Sequence, residues 1–180
     1  MNKPWNNRAG RSKNRWRLLP LVAFLALGLA GMSATAASAA ARAGAPAVPF
    51  KYSVSGTVTL TSPPPPGPGS TLTLTGAGNA SHLGKASYKG SVVIDTISGT
   101  GVITDTLTET LTAANGETLT ILCHQVATPV SSGVYKGTDQ WTVTGGTGRF
   151  RGATGSGSGN THIDLNTHTF TKAETGTIAY

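Results

Sequence analysis

The sequence predicts an exported protein that contains one small, antiparallel all-β domain. Two observations carry this prediction. The N-terminal segment has the three parts of a cleavable signal peptide, and in the remainder Thr, Val, Leu and Ile alternate with the period of a β-strand. Gly residues and an Asn-Gly pair interrupt that alternation, as is typical of turns between strands, and helical periodicity is absent from it. The chain after the signal has the length of a single domain with one core.

The first 39 residues have the composition of a signal peptide. Basic residues without any acid occupy positions 1–17, and an apolar run follows at positions 18–30. As a helix this run is about 20 Å long, shorter than the roughly 30 Å hydrocarbon core of a bilayer, which disfavours the alternative of an uncleaved anchor. Ala37-Ser38-Ala39 fits the small-residue pattern that signal peptidase cleaves. We therefore expect cleavage after Ala39 and secretion to the cell envelope or beyond, with membrane contact only through the signal peptide.

Export accounts for most of the positive charge. The whole chain has a formal net charge of +7, but only eight basic residues against seven acidic ones follow Ala39. No basic cluster remains that could bind phosphates, which excludes a nucleic-acid partner. Cys123 is the single cysteine of the sequence, so an internal disulfide cannot form. The four scattered histidines lack ligand spacing, and we expect neither a metal site nor a cofactor.

Nine segments have the pattern of strands, and because a bend can join neighbouring segments we expect seven to nine strands. The segments are 51–61, 70–80, 83–90, 91–97, 101–113, 117–127, 134–144, 154–165 and 170–180. Residues 40–50, rich in Ala and Pro, predict a disordered spacer, which leaves 51–180 as the domain. The prolines of the loop 62–69 predict an extended connector that donates no ladder hydrogen bonds.

The hairpin around Asn115-Gly116 shows how two of the strands pair. A two-residue turn at Asn115-Gly116 would place Leu111 beside Thr120 and would mix the two faces of the pair. A three-residue loop ending at Gly116 instead places Leu111 beside Leu119. Since a slip of one residue moves every side chain to the other face, the apolar pattern selects the second register. Gly116 then occupies the left-handed position of a G1 bulge.

In this register Asp105 and Glu109 lie on the apolar face, beside Cys123 and Gln125. A carboxylate among leucines must be hydrogen-bonded, paired or exposed to a wet cavity. Either the acids lie near a barrel mouth or the Thr-rich face points inward, or the barrel holds a ligand cavity with acidic groups inside. On the last interpretation these four residues are candidate ligand-binding residues. Considered without a ligand, Cys123 is expected to be a small, buried hydrophobic residue, because it is a single thiol on the apolar face of a strand.

A glycine motif and a strand with a bare inner face follow at positions 141–165. The structural motif comprises Gly145, Gly146, Gly148, Phe150, Gly152, Gly155, Gly157 and Gly159. Its first part predicts a tight turn in which Phe150 plugs the core. Gly155, Gly157 and Gly159 share one face of a strand. This stripe either admits a bulky residue such as Trp141 from across the barrel or leaves a cavity, which makes Trp141 a fifth candidate ligand-binding residue.

The segment Gly145–Ala153, GGTGRFRGA, resembles the GGTGxFxxAxG segment of plant dirigent proteins. Small secreted bacterial proteins of the allene oxide cyclase barrel-like group have similar segments, and residues 81–85 and 113–117 also resemble that group. The resemblance covers residues 51–180. It implies an eight-stranded antiparallel up-and-down β-barrel, lipocalin-like in shape, with a central apolar cavity. It also implies a homo-oligomer, because plant relatives are often trimers or dimers.

Several functions stay open on the sequence. The leading hypothesis is a secreted barrel that binds a small hydrophobic ligand without catalysis. Because the plant relatives cyclise a fatty-acid epoxide or orient phenoxy radicals, the resemblance also implies an alternative, a cyclase- or dirigent-like enzyme whose catalytic residues stay unassigned. A further alternative is a surface or matrix protein whose barrel is packed solid. The last is an outer-membrane barrel, which the shortage of aromatic residues for interfacial girdles disfavours.

Overall fold

The structure is a computed structural model that describes residues 45–61 and 66–180. Eight antiparallel strands form a closed barrel in which each strand pairs with its neighbours along the chain and the last pairs with the first. The strands are β1 Val48–Leu60, β2 Thr71–Ala80, β3 Gly84–Ile97, β4 Ile103–Ala113, β5 Thr118–Ser131, β6 Val134–Gly146, β7 Thr154–Asp164 and β8 Thr169–Ala179. A 3₁₀ turn, Gly148–Phe150, lies between β6 and β7. The predicted eight-stranded up-and-down barrel is confirmed.

Two expectations about the strands need correction. The sequence predicts a spacer as far as residue 50, but β1 already begins at Val48, which pairs with Ile178 of β8. Phe50 is only 2% exposed, and the strand must begin before it to carry its ring into the core. The predicted segments 83–90 and 91–97 are a single strand, β3, because Gly90 continues the ladder with both neighbouring strands instead of forming a turn.

Some sequence predictions lie outside the described residues. These are the signal peptide at 1–39, the first part of the spacer at 40–44, and residues 62–65 of the proline loop. Within 45–61 and 66–180, no helix combines the length and the apolar character needed to cross a bilayer.

The hairpin of β4 and β5 has the predicted register. Leu111 pairs with Leu119, and Gly116 has a φ of +84°, which confirms the three-residue loop with a left-handed glycine at its end. Because side chains alternate across a strand, Asp105 and Glu109 are buried on the same face as the leucines. The alternative in which the Thr-rich face points inward is therefore wrong.

The glycine turn is fastened to the β4–β5 loop by a single carboxylate. Gly148 has a φ of +60°, and Glu117 approaches it so closely that any side chain there would collide with the carboxylate. Glu117 Oε1 accepts a hydrogen bond from the Arg149 amide at 3.0 Å, and Glu117 Oε2 lies 3.1 Å from Arg149 Nε. A hydrogen bond from Asn115, followed by that of Arg149, holds the pKa of Glu117 below its ordinary value. These contacts hold the turn against the β4–β5 loop at the end of the barrel opposite the mouth.

The barrel interior has a packed half and an open mouth. In the packed half Phe150 is fully buried, as the plug prediction requires, and its ring centroid lies 4.9 Å from that of Tyr180. The Phe50 ring meets Trp141 edge to face, with the centroids 5.9 Å apart. The other end, where β1, β3, β5 and β7 finish, is open. Both ends belong to one hydrophobic core, and the mouth leaves unfilled space among the described residues.

Candidate functional site

A cavity of about 190 Å³ lies at the open mouth of the barrel; we call it the mouth cavity. Its wall is mostly aliphatic, with Val58, Leu74, Ile94 and Ile163 among the residues that line it. An apolar protein cavity of about 150 Å³ can hold benzene. The mouth cavity therefore has room for a molecule with a single ring or a short chain.

Two polar side chains, Asp105 and Gln125, form the floor of the mouth cavity. They are partners across β4 and β5 and are only 5% and 2% exposed. Gln125 Nε2 donates a hydrogen bond to Asp139 Oδ1 at 2.7 Å. Gln125 Oε1 and Asp105 Oδ1 have no hydrogen-bond partner among the described residues. Because buried polar atoms are normally paired, these two side chains have unused hydrogen-bonding capacity beside the cavity.

The Asp105 carboxyl group exchanges its proton near neutral pH. Burial raises the pKa of Asp105 to about 7, and the charge of Asp139 adds to the shift. Lys172 acts in the opposite direction but is engaged with other carboxylates. A carboxyl group with such a pKa can act as a general acid or base, and it can also change the charge of the cavity floor with pH.

Replacing Asp105 with asparagine is expected to stabilise the barrel in alkaline solution. Because the pKa is higher in the folded state than in the unfolded state, the folded protein binds more protons, and ionisation lowers stability as the pH rises from about 4 to 7. After allowing for water in the cavity, we expect Asp105→Asn to raise the free energy of unfolding by about 2 kcal/mol at pH 8 and to change it little at pH 4.

Urea denaturation at both pH values measures this difference between the variant and the original protein. Asp95→Asn is the matched control, because Asp95 is exposed on the outer face of β3. An equal effect of Asp105→Asn at pH 4 and pH 8 would contradict the raised pKa.

Behind the cavity floor lies a buried charge cluster, which consists of Lys172, Glu109, Asp139 and Glu174. Lys172 Nζ lies 2.8 Å from Glu109 Oε1, 3.0 Å from Asp139 Oδ2 and 3.3 Å from Glu174 Oε1. All four side chains are inaccessible to solvent. They come from β8, β4 and β6, whose inward faces meet only because the barrel is closed.

The four groups of the cluster do not share one protonation state. Burial disfavours the Lys172 ammonium, but the charges of Glu109 and Asp139 outweigh it and raise the pKa of Lys172 well above its ordinary value. Burial also opposes the ionisation of Asp139, whose pKa is nevertheless lowered by hydrogen bonds from Glu174 and other neighbours and by Lys172. Burial raises the pKa of Glu174 to about 9. At neutral pH Glu174 therefore keeps its proton, while Lys172 and Asp139 are charged.

Hydrogen bonds to neighbouring side chains complete the cluster. Tyr52 Oη donates to Glu109 Oε2 at 2.5 Å, and Thr161 Oγ1 donates to Asp139 Oδ2 at 2.6 Å. Burial, together with the charge of Glu109, raises the pKa of Tyr52 far above its ordinary value, so the phenol remains a donor. No group of three His, Cys, Asp or Glu side chains in the described part of the chain has the arrangement of a metal site.

The glycine stripe of β7 is filled. Trp141 pairs with Gly157 across β6 and β7, and a Cβ on Gly157 would lie 2.4 Å from Trp141 Cζ2. The indole also covers Gly176 of β8, where a Cβ would lie 2.7 Å from the same atom. The predicted bulky residue thus comes from the adjacent strand and not from across the barrel. The unfilled space lies at the mouth instead.

The structure separates the five candidate ligand-binding residues into three places. Asp105 and Gln125 line the mouth cavity. Glu109 belongs to the charge cluster, and Cys123 lies beside it with Sγ 3.6 Å from Lys172 Nζ. Trp141 lies in the packed half of the core. Burial raises the pKa of Cys123 far above its ordinary value, so this thiol stays protonated and unreactive.

Sequence reasoning missed Lys172, Asp139 and Glu174. The strand period could have identified two of them, because Lys172 and Glu174 follow Phe170 at every second position and so share the inner face of β8. Asp139 is likewise two residues from Trp141. The period shows that these side chains point inward, whereas their meeting at one point depends on the closure of the barrel.

Comparison with known proteins supports the fold. No family profile matches this chain, and no curated protein matches it. Among solved structures, the pterocarpan synthase dirigent protein GePTS1 is similar, with a TM-score of 0.52 and 16% sequence identity. The match covers 76% of this chain and 89% of that chain. At this identity the likeness concerns the fold alone. The chain is a closed, all-antiparallel barrel of eight strands with the fold of a dirigent protein.

Proposed function

We propose that this chain binds a small, largely apolar molecule in the mouth cavity without converting it. The observation that carries the proposal is an aliphatic cavity lined at its floor by two buried polar side chains, each with one oxygen that has no hydrogen-bond partner among the described residues. Apolar walls with a few well-placed polar groups are the usual composition of a ligand site. The interior below the floor is filled by the charge cluster and the aromatic core, so the mouth is where a ligand fits.

The size of the cavity limits what it can hold. Its volume of about 190 Å³ is below the roughly 300–1,000 Å³ of sites for drug-sized molecules. The ligand is therefore closer to a single aromatic ring than to a fatty acid. A surface or matrix protein with a solid barrel is the competing interpretation, because such a protein would leave this small space without a ligand.

Filling the cavity is expected to abolish binding of an apolar probe. Ala127 lines the cavity and is buried, so the ring in Ala127→Phe would occupy the space. We expect toluene to shift the methyl resonances of Val58, Leu74 and Ile163 in the original protein and to leave them unchanged in Ala127→Phe. Ala173→Phe, on the outer face of β8, is the matched control and should behave like the original protein.

Circular dichroism shows whether both variants are folded. If toluene gives no shift in the original protein, or if Ala127→Phe responds as the original does, the mouth cavity is not a binding site.

A second candidate function, a cyclase- or dirigent-like enzyme, is favoured by one observation. Asp105 lies at the cavity floor, and burial raises its pKa to about 7, which suits proton transfer near neutral pH. Glu109, the other acid on the inner face of β4, is engaged by Lys172 and Tyr52 and does not line the cavity. We therefore favour binding over catalysis.

We also propose that the chain is secreted after cleavage at Ala39. The basic, apolar and small-residue segments of the N-terminus support this proposal. Native mass spectrometry of the exported protein tests it, because the mass reports the cleavage site. The same spectrum reports the number of subunits, for which we propose a homo-oligomer, and any small molecule that remains bound. A mass that corresponds to the whole chain would contradict cleavage.

A further inference from the structure

We propose that the molecule bound in the mouth cavity carries a primary ammonium group, which pairs with the Asp105 carboxylate. The inference rests on the proposed function and adds the chemical class of the ligand, a small hydrophobic amine. Three features of the described residues carry it: the polarity of the cavity floor, the imbalance of buried charges and the size of the cavity.

The floor of the cavity offers hydrogen-bond acceptors that no described residue uses. Asp139 Oδ1 is a carboxylate oxygen and can only accept, so the atom of Gln125 that faces it at 2.7 Å must be the amide nitrogen. This fixes the orientation of the Gln125 amide and leaves Oε1 as the free atom. Together with Asp105 Oδ1 it offers two acceptors. A ligand group that donates hydrogen bonds therefore suits this floor better than an ether or a ketone, which can only accept.

The buried charges favour a cationic donor over a neutral one. The inward face carries Asp105, Glu109, Asp139 and the protonated carboxyl group of Glu174, but Lys172 is the one buried cation among the described residues. Lys172 lies within 3.3 Å of the other three carboxyl groups and forms no ion pair with Asp105. A hydroxyl group would satisfy the free oxygens but would leave the Asp105 charge uncompensated. A primary ammonium supplies both the hydrogen bonds and the missing charge.

Protonation of Asp105 sets the expected pH dependence. The groups that act on its charge are Asp139, Lys172, Asp95 and Glu109, and none of them is a free cation at the floor. The side chains of Tyr135 and His168 also line the cavity. With a pKa of about 7, Asp105 is roughly one-tenth ionised at pH 6 and roughly nine-tenths ionised at pH 8. Affinity for an ammonium should therefore increase as the pH rises through this range.

The test compares three probes of one shape: benzylamine, benzyl alcohol and benzoate. Each has one benzene ring and one attached carbon that bears the polar group, and a molecule of this size fits a cavity of about 190 Å³. Isothermal titration calorimetry is expected to show benzylamine binding about tenfold more tightly than benzyl alcohol at pH 8, with benzoate not binding. The affinity for benzylamine should be up to about tenfold lower at pH 6 than at pH 8, while the affinity for benzyl alcohol should be the same at both pH values.

Two variants assign the effect to its residue. Asp105→Asn should remove both the preference for benzylamine and its pH dependence, with benzyl alcohol still bound. His162→Asn should retain both, because His162 is exposed on the outer face of β7 and does not line the cavity. An unchanged preference in Asp105→Asn would overturn the pairing with Asp105.

The outcomes also separate this inference from the proposed function. If benzyl alcohol and toluene bind but benzylamine binds no better than the alcohol, the ammonium class is wrong and the apolar site stands. If none of these probes binds to the folded original protein, both proposals fail together.

Discussion

Replacing Lys172 with methionine is expected to lower the free energy of unfolding by about 3–5 kcal/mol at pH 7. The lysine is the shared partner of Glu109, Asp139 and Glu174, and none of these side chains is accessible to solvent. Methionine has a similar shape but no charge, so the ionised carboxylates would remain buried without a cation. Such an uncompensated charge costs more than the ion pair itself contributes, which is why removal of one partner has a large effect.

Three measurements separate this electrostatic cause from a loss of packing. Lys89→Met is the matched control on the outer face of β3, and it should leave stability unchanged in urea denaturation. The effect of Lys172→Met should shrink as the pH falls, because protonation neutralises the carboxylates left behind. Adding Glu109→Gln and Asp139→Asn to Lys172→Met should recover part of the lost stability. A loss that is equal at pH 4 and pH 7 would contradict the account.

The hairpin of β4 and β5 shows what the sequence could predict. The alternation of Leu and Thr, together with one Gly at the turn, leaves a single register that keeps the leucines on one face. That register places Asp105 and Glu109 on the face of the leucines, and the structure shows that this face is the inner one. Local pattern therefore predicted the pairing and placed both acids on the face of the leucines, because both depend only on the period of a strand, but it left open which face points inward.

The position of the cavity could not be obtained in this way. The glycine residues on the inner face of β7 predicted either that a bulky side chain covers this face or that a cavity lies beside it. The choice depends on where the indole of Trp141 points. Similarly, Lys172 and Asp139 are separated by β7, and they meet because inward side chains from non-adjacent strands converge on the axis of a closed barrel. These contacts are set by the closure and the shear of the sheet, which a single strand does not encode.

A single methyl group at Gly157 is expected to lower the free energy of unfolding by about 3 kcal/mol. A Cβ at this position would lie 2.1 Å from the carbonyl oxygen of Thr175 and 2.4 Å from Trp141 Cζ2. Neither neighbour can yield easily, because the first is the backbone of β8 and the second belongs to an indole that is only 2% exposed. The substitution Gly157→Ala must therefore push β7 and β8 apart or displace the indole from the core.

Gly99→Ala is the matched control for this substitution. Gly99 lies in the turn between β3 and β4, and a Cβ there would meet nothing within 4 Å. We expect this variant to unfold at the same urea concentration as the original protein. The double variant Gly157→Ala with Trp141→Leu should lose less stability than the sum of the two single variants, because the smaller side chain removes one of the two collisions. Additive losses would mean that the collision with the strand backbone, and not the indole, requires glycine at this position.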